Sequence, residues 1–542
     1  MRKLKKVNED RLRIEKSNTL EGFIANNRVT RREFIQFAGA IGVTAASANL
    51  FWSNVAIAAP KRGGILRAGL DGGASTDSFD PRTQIGPNHI TTATSSMFDT
   101  LVRLDPSTKP IPGLAESWEV GKDGKTWHFK LRKGVEFHNG KSLNAKDVVA
   151  TYAYLNSEES GYVDGKNILG SMSAIKTDGD YVVFVQKEAN ADLPIMLAGW
   201  GMNIWPAGDG DIDWRKPIGT GPYKLESFEP GTMIGLKRQK NFYRDDEGYF
   251  DEVMLQNVND PVARANGLRS KSFDIITRPD PKTAKLLGKV DGISIVEGFG
   301  NLQYTIPMRT DKSPYTDVNV RRAVKHAINR EELLKKVLGG FGYIGNDHPI
   351  GRGQRYFNRE LLQTKLDPEK AKFYLKKAGL AKLDIELSAA EAAFSGAVDA
   401  AVLISESAKK AGINVKVNRT PDDGYWSEVW MKHPWCFSYF QGRVTEDWAF
   451  TAIYISTSKW NESYWKNEKF DQLVKQARSE QNDDRRRAMY YECQEIVRND
   501  GGVVVPVFGS FLHAASDKLG HGEVSGISYM DYFQLARKWW IK

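Results

Sequence analysis

A mixed α/β fold with more than one domain is predicted, and three observations predict it. The 542 residues exceed what one hydrophobic core serves. Between Leu383 and Val417 an apolar run, a helical stripe stopped by Gly412 and a second apolar run follow at the spacing of a parallel strand, helix, strand crossover. Further upstream, Trp127, Phe129 and Leu131 alternate with His128, Lys130 and Arg132, the period-two pattern of a strand with one buried face. Asp123-Gly124 just before it is a hairpin-turn dipeptide.

The elements follow in order. Gly63-Gly64 opens into a strand at Ile65 to Leu70, and turn formers run from Asp71 to Pro81. Asn144 is expected to cap a helix whose first turn holds Asp147 and whose apolar stripe is Val148, Val149 and Tyr152. A strand over 181–186 follows the turn at Asp178-Gly179. Residues 223–228 and 233–238 form a hairpin, 253–258 a strand and 261–270 a helix. A helix over 317–339 places Val320, Ala323, Val324, Ala327, Ile328, Leu334, Val337 and Leu338 on one face. Asp367-Pro368 starts another, stopped by Gly379. Strands at 383–387 and 413–417 flank the crossover helix at 397–411, and 436–440 adds a further strand. Asp483 caps a long helix that ends before Gly501-Gly502, and 503–508 is a strand.

Four spaced blocks give a resemblance to a family. They are Ile111-Pro-Gly-Leu-Ala-Glu-Ser-Trp118, Leu131-Arg-Lys-Gly134-Val-Glu-Phe137-His, Ile218-Gly-Thr-Gly221-Pro-Tyr223, and Tyr315-Thr-Asp-Val-Asn-Val320-Arg-Arg-Ala-Val324. In this order they resemble the extracytoplasmic solute-binding proteins of peptide, nickel and opine ABC importers, family 5, over nearly the whole chain after the leader. The resemblance implies a two-lobed periplasmic-binding-protein-like fold of type II, in its large form with an extra small α+β domain. Lobe I would comprise 60–94, 216–300 and 515–542, the small domain 95–215 and lobe II 301–514, with two crossings near Gly300 and Phe508. It also implies a monomer that closes on a small solute, peptide-like or opine-like, and docks on ABC permease subunits.

Apolar content of 41% and charged content of 26% are ordinary for a globular chain. The net charge of +9 owes much to the first 59 residues, which hold ten Lys or Arg and five acids; without them 66 basic face 62 acidic residues, and no nucleic-acid partner is indicated. That segment reads Thr30-Arg31-Arg32-Glu33-Phe34-Ile35, then a small-residue apolar run to Val55 and Ala56-Ile57-Ala58. Twin arginines ahead of a mild apolar run resemble a twin-arginine (Tat) export signal, which implies a periplasmic body; the alternative is an uncleaved amino-terminal anchor. Only Cys436 and Cys493 are present, so one disulfide is permitted. Cys493 shares a helical face with Met489, Ile496 and Val497, which favours a buried thiol.

Ligands of open α/β sheets lie beyond the carboxyl ends of strands, a rule that selects loops 71–79, 389–394, 420–426 and 441–448. These carry Phe79, Phe394, Tyr425, Trp426 and Trp448, with Glu391, Gly442, Arg443, Glu446 and Asp447. Aromatics with a few charges suit a polar organic ligand whose body is stacked and whose ends are paired; each aromatic could equally pack lobe against lobe. In the dipeptide-binding branch that the chain resembles, the loop corresponding to 441–448 usually offers an aspartate to the ligand amine and a second loop an arginine to its carboxylate. Here Gly442 is followed by Arg443, and the second loop carries Glu391. A guanidinium grips a carboxylate with two parallel hydrogen bonds. The expectation is therefore that Arg443 receives a ligand carboxylate, and Glu391, Glu446 or Asp447 an amine. The competing reading is a salt bridge from Arg443 to Glu446 or Asp447.

Catalytic signatures are missing, and no catalytic residue is assigned. There is no Gly-x-Ser-x-Gly and no His-Glu-x-x-His. Ser407-Ala-Lys-Lys410 lies on the crossover helix without companion motifs, and Gly124-Lys125-Thr126 has Glu119 where a phosphate loop needs glycine. The eight histidines show no ligand spacing, so neither a bound metal ion nor a cofactor is expected, and the resemblance leaves open a nickel or haem cargo that arrives already complexed. The rival reading is a Tat-exported hydrolase or oxidoreductase; a receptor feeding a sensor is a third.

Overall fold

The computed structural model describes residues 60–83, 88–208 and 211–542; the twin-arginine segment and its cleavage pattern lie outside them. Nine strands form the main sheet: β1 (Ile65–Leu70), β2 (Tyr223–Glu229), β3 (Met233–Arg238), β4 (Glu252–Asn257), β5 (Ile275–Thr277), β6 (Ile293–Pro307), β7 (Gly342–Ile344), β8 (Ser438–Phe440) and β9 (Val503–Ser516). Their order is β8-β6-β9-β5-β1-β4-β3-β2, with β7 also paired to β9. β1 lies parallel to both β4 and β5, and the remaining pairs are antiparallel.

Two of these strands are long enough to serve two cores. The 15-residue β6 and the 14-residue β9 run antiparallel from Ile293↔Ser516 to Pro307↔Val503, and their register shifts between Gly298 and Leu302. On one side of the shift β5 joins the pair through Ile275 to Thr277. On the other side β7 and β8 join it. The irregularity bends the ribbon where it passes from one core to the next, as bulges do. One core gathers Leu66, Tyr223, Ile234, Val253, Ile275 and Trp539. Another gathers Ile306, Val324, Leu387, Ile404, Val415 and Trp435, and a neighbouring cluster Phe450, Tyr490, Cys493 and Val503.

A third core belongs to the antiparallel unit. Its four strands, Ala115–Val120, Thr126–Leu131, Tyr181–Gln186 and Met172–Asp178, form a separate sheet in that order. Trp127, Phe129 and Leu131 are buried and their alternating neighbours half-buried, as the period-two pattern predicts. Asp123 builds the turn by accepting from the Lys125 and Thr126 amides at 2.9 Å, and these bonds hold its carboxyl down at about 2. Asn144 caps the helix Ala145–Leu155, accepting from the Lys146 amide at 2.9 Å while Asp147 accepts from the Asn144 amide. The Gly219-Thr-Gly221 block lies hard against the chain at Met97: a Cβ on Gly219 would stand 2.0 Å from the Met97 oxygen.

Several expectations need correction. The helix over 317–339 is two, Val318–His326 and Arg330–Lys336; the break at Ala327 to Asn329 changes the phase, so Leu333 is buried in place of Leu334. Asn482 caps the long helix Asp483–Asp500, accepting from the Arg485 amide at 3.0 Å, and Asp483 occupies its first turn. Residues 436 and 437 precede β8, Cys436 making only an isolated parallel bridge to Ser388. Cys436 and Cys493 are both free and buried, Cys493 in the cluster with Met489 and Ile496. The crossover is as expected: Leu383–Ala389 and Ile413–Arg419 pair in parallel around Ala397–Lys409.

One buried acid makes a stability prediction. Glu462 is 1% exposed, accepts from Trp430 Nε1 at 2.5 Å and from Thr305 Oγ1 at 3.1 Å, and burial lifts its carboxyl to about 7. The unfolded chain holds this proton less tightly. Its contribution is therefore complete below the ordinary glutamate range and lost as pH rises through about 7, in total roughly 3 kcal/mol. Glu462→Gln is expected to gain that much on wild type between pH 5 and pH 8 in denaturant titrations; equal pH slopes for the two proteins would count against it.

Candidate functional site

The loop 441–448 is positioned by the bend in the β6–β9 ribbon. Gly442 packs on Asn301, where a Cβ would come within 2.1 Å of the Asn301 Cβ, so this position excludes larger residues. The Arg443 carbonyl then accepts from Asn301 Nδ2 at 3.3 Å and from Gln354 Nε2 at 3.2 Å. Thr445 caps the helix Glu446–Ile453 by accepting from the Trp448 amide at 3.1 Å. These bonds fix the backbone and leave the Arg443 side chain to point elsewhere.

It points into a cavity of about 310 Å³ bounded by the ends of main-sheet strands, the antiparallel unit, the carboxyl-terminal segment and the 441–448 loop itself. The main sheet contributes Asp71 and Arg278, which pair at 3.1 Å, and Asn88 donates to Asp71 at 2.6 Å. The antiparallel unit contributes Tyr162, Asp164, Ile168, Met196 and Trp200. The carboxyl-terminal segment adds Tyr529, Tyr532 and Phe533, from a stretch in which Met530 to Phe533 all have φ between 54° and 61°. Left-handed backbone is costly for such side chains, and here it is held by buried groups: Asp531 accepts from the Ser525 amide at 2.9 Å, and the Met530 amide donates to His513 Nε2 at 2.7 Å.

Arg443 lies over Trp448 at 5.0 Å, and its Nε is buried without a hydrogen-bond partner. Desolvation lowers its pKa, and Asp164 pulls the other way. It makes no salt bridge to Glu446 or Asp447, because each of those is engaged elsewhere. Glu446 accepts from the Tyr356 amide at 2.8 Å. Asp447 pairs with Arg478 at 3.0 Å, burial lifting its carboxyl to about 6 in spite of that partner. Glu391 is likewise committed: it accepts from the Gly396 and Val398 amides at 2.6 and 3.4 Å, closing the start of the crossover helix. None of the three acids chosen for an amine is free to receive one.

The aromatic residues divide. Trp448 lines the cavity. Phe79 is buried against Phe228, ring centres 4.7 Å apart, and belongs to the core. Tyr425 is also core, its hydroxyl donating to the Phe437 carbonyl at 2.7 Å. Phe394 packs between Tyr304 and Phe437. Trp426 is 40% exposed and edge-on to Tyr439 and Trp430, apart from the cavity lining. The rule that ligands sit beyond strand ends therefore located the 441–448 loop and, through Asp71 and Gly72, the start of the 71–79 loop, and missed Asp164, Trp200, Arg278 and Tyr529. For Arg278 a local signal exists: it directly follows the short strand β5.

Comparison with known proteins matches residues 109–462 to the family described as bacterial extracellular solute-binding proteins, family 5 Middle. A dipeptide-binding protein of Pseudomonas aeruginosa is 26% identical over 502 residues, covering 86% of this chain and 93% of that one. Among solved structures, HbpA2 from Haemophilus parasuis superposes with a TM-score of 0.77 at 20% identity, over 88% of this chain and 100% of its own. The binding protein AgaA from A. tumefaciens R10, in complex with agropinic acid, superposes with a TM-score of 0.67 at 23% identity, over 88% and 99%. The matched residues 109–462 include the antiparallel unit and the loop that carries Arg443.

Proposed function

The chain belongs to the family 5 bacterial extracellular solute-binding proteins, and from that premise we propose that it captures a peptide-like or opine-like amino acid derivative for an ABC importer. The observation that carries this reading is Arg443, a guanidinium with a buried, unpartnered Nε in a cavity between the main sheet, the antiparallel unit and the 441–448 loop. A donor buried away from water without a partner is expensive, and a ligand carboxylate removes the cost. The relatives support the ligand class: one binds dipeptides, and another is seen with agropinic acid.

In this reading the division into lobe I, small domain and lobe II has a mechanical meaning. β6 and β9 are the two crossings, and the bend between Gly298 and Leu302 is the hinge. A solute held by Arg443 on one side and by Trp200, Arg278 and Tyr529 on the other touches both lobes, so its binding favours the closed form. The closed form then docks on the permease. Export through the twin-arginine route, a monomeric state and the absence of catalysis belong to the same proposal.

Native mass spectrometry of the mature protein, purified from its own host, tests it. A co-purified small molecule bearing a carboxylate, released on denaturation and recovered unchanged after incubation, is the expected result. Turnover of that molecule would establish the rival enzyme, and a neutral or purely cationic solute would remove Arg443 as its receptor.

A further inference from the structure

Arg443 and Asp164 stand together at the junction of two chambers. Both line the cavity that contains Arg278 and Tyr529, and both line its neighbour of about 460 Å³, which runs past Thr451, Ala452 and Trp460. Asp164 comes from the first turn of the helix Val163–Gly170, a short helix whose amino-terminal residue has no side-chain cap. It is half-buried, and burial raises its pKa; the one charge opposing that rise is Arg443. Conversely, the one charge acting on Arg443 is Asp164. Yet the two make no salt bridge, and among the described residues neither side chain has a hydrogen-bond partner.

Such a pair has an unusual requirement. A carboxylate and a guanidinium that line the same two chambers without pairing, each lacking a partner, are satisfied together by a group carrying both charges side by side. An ammonium and a carboxylate on one carbon form such a group, whereas the two ends of an extended dipeptide stand further apart by about 3.3–3.6 Å per residue. Resting on the reading of this cavity as the solute site, we propose that Asp164 and Arg443 jointly receive a single α-amino acid head group, its carboxylate on Arg443 and its ammonium on Asp164. The rest of the solute then extends into one of the two chambers. Among peptide-like solutes this selects conjugates linked through a side chain, in which the head group stays intact.

Two isomeric probes isolate the head group. γ-Glutamyl-alanine keeps the amine and carboxylate on one carbon, whereas α-glutamyl-alanine has the same atoms and charge with the head group split. Calorimetric titration of the full mature chain is expected to show the γ isomer binding at least tenfold more tightly. Asp164→Asn, which keeps the side-chain shape, should abolish the preference while leaving the thermal unfolding midpoint near that of wild type. Equal or tighter binding of the α isomer overturns the head-group assignment and leaves the solute-binding reading standing, and so does a preference that survives in Asp164→Asn. Absence of saturable binding by either isomer and by each of the twenty free amino acids overturns the peptide-like reading itself.

Discussion

Arg443→Ala is expected to weaken capture of the co-purified solute by about 2 to 5 kcal/mol, or roughly thirtyfold to a few thousandfold. The magnitude follows from what is left behind. A carboxylate drawn into this cavity gives up water, and after the substitution no other side chain there offers it a free guanidinium. Arg278 already pairs with Asp71, and Arg478 with Asp447. The protein itself should lose little stability, because Arg443 makes no ion pair and its removal relieves an unsatisfied Nε. Calorimetry against the solute and denaturant unfolding of the empty protein therefore move apart: affinity collapses, stability holds. Arg443→Lys keeps the charge without the fork and should fall between. A matched loss of stability and affinity would instead make Arg443 a packing residue of the β6–β9 bend.

The extent to which the site could be read from sequence follows from how local its signals are. Asn144, Asp123 and the alternation at 127–131 act within a few residues, and each behaves as predicted. The crossover at 383–419 is nearly as local, since strand, helix and strand are consecutive. Arg443 was legible because a guanidinium immediately after Gly442 departs from the pattern of the family it resembles. Glu391 was misread because its carboxylate is spent five residues on, at the Gly396 amide, where the crossover helix lacks a capping side chain of its own. That signal was present in the sequence: a glycine before a helix leaves amides for a nearby acid to take. Asp164 and Trp200 carried no such mark. They face Arg443 only because the small unit folds back over the ribbon, and Tyr529 reaches the same cavity from nearly 90 positions further along the chain.

The contact between the small unit and the long helix makes the second strong prediction. Asp192 is 1% exposed and accepts from Arg486 Nη1 at 2.8 Å and from Arg355 Nη2 at 3.1 Å; beside it the Ala191 amide donates to the Arg478 carbonyl at 2.9 Å. Leu193 next to Asp192 belongs to the core of the antiparallel unit, whereas Arg486 lies on Asp483–Asp500, whose Tyr490 and Cys493 pack in the cluster with Phe450 and Val503. If the lobes separate about the bend at Gly298 to Leu302, this is an ion pair that water reclaims. Asp192→Ala then acts on closure and not on contact with solute. It leaves the buried Arg486 guanidinium without its carboxylate while Arg355 keeps contact with water, a cost of about 3 to 5 kcal/mol charged only to the closed form. Apparent affinity falls with the fraction of molecules able to close, by about two orders of magnitude or more, although Arg443 and Asp164 are untouched. Small-angle scattering at saturating solute should show a larger radius of gyration for the variant than for wild type. Unchanged affinity with a lowered unfolding midpoint would mean that Asp192, Arg355 and Arg486 move as one body, and the hinge would have to lie elsewhere than in the bend of β6 and β9.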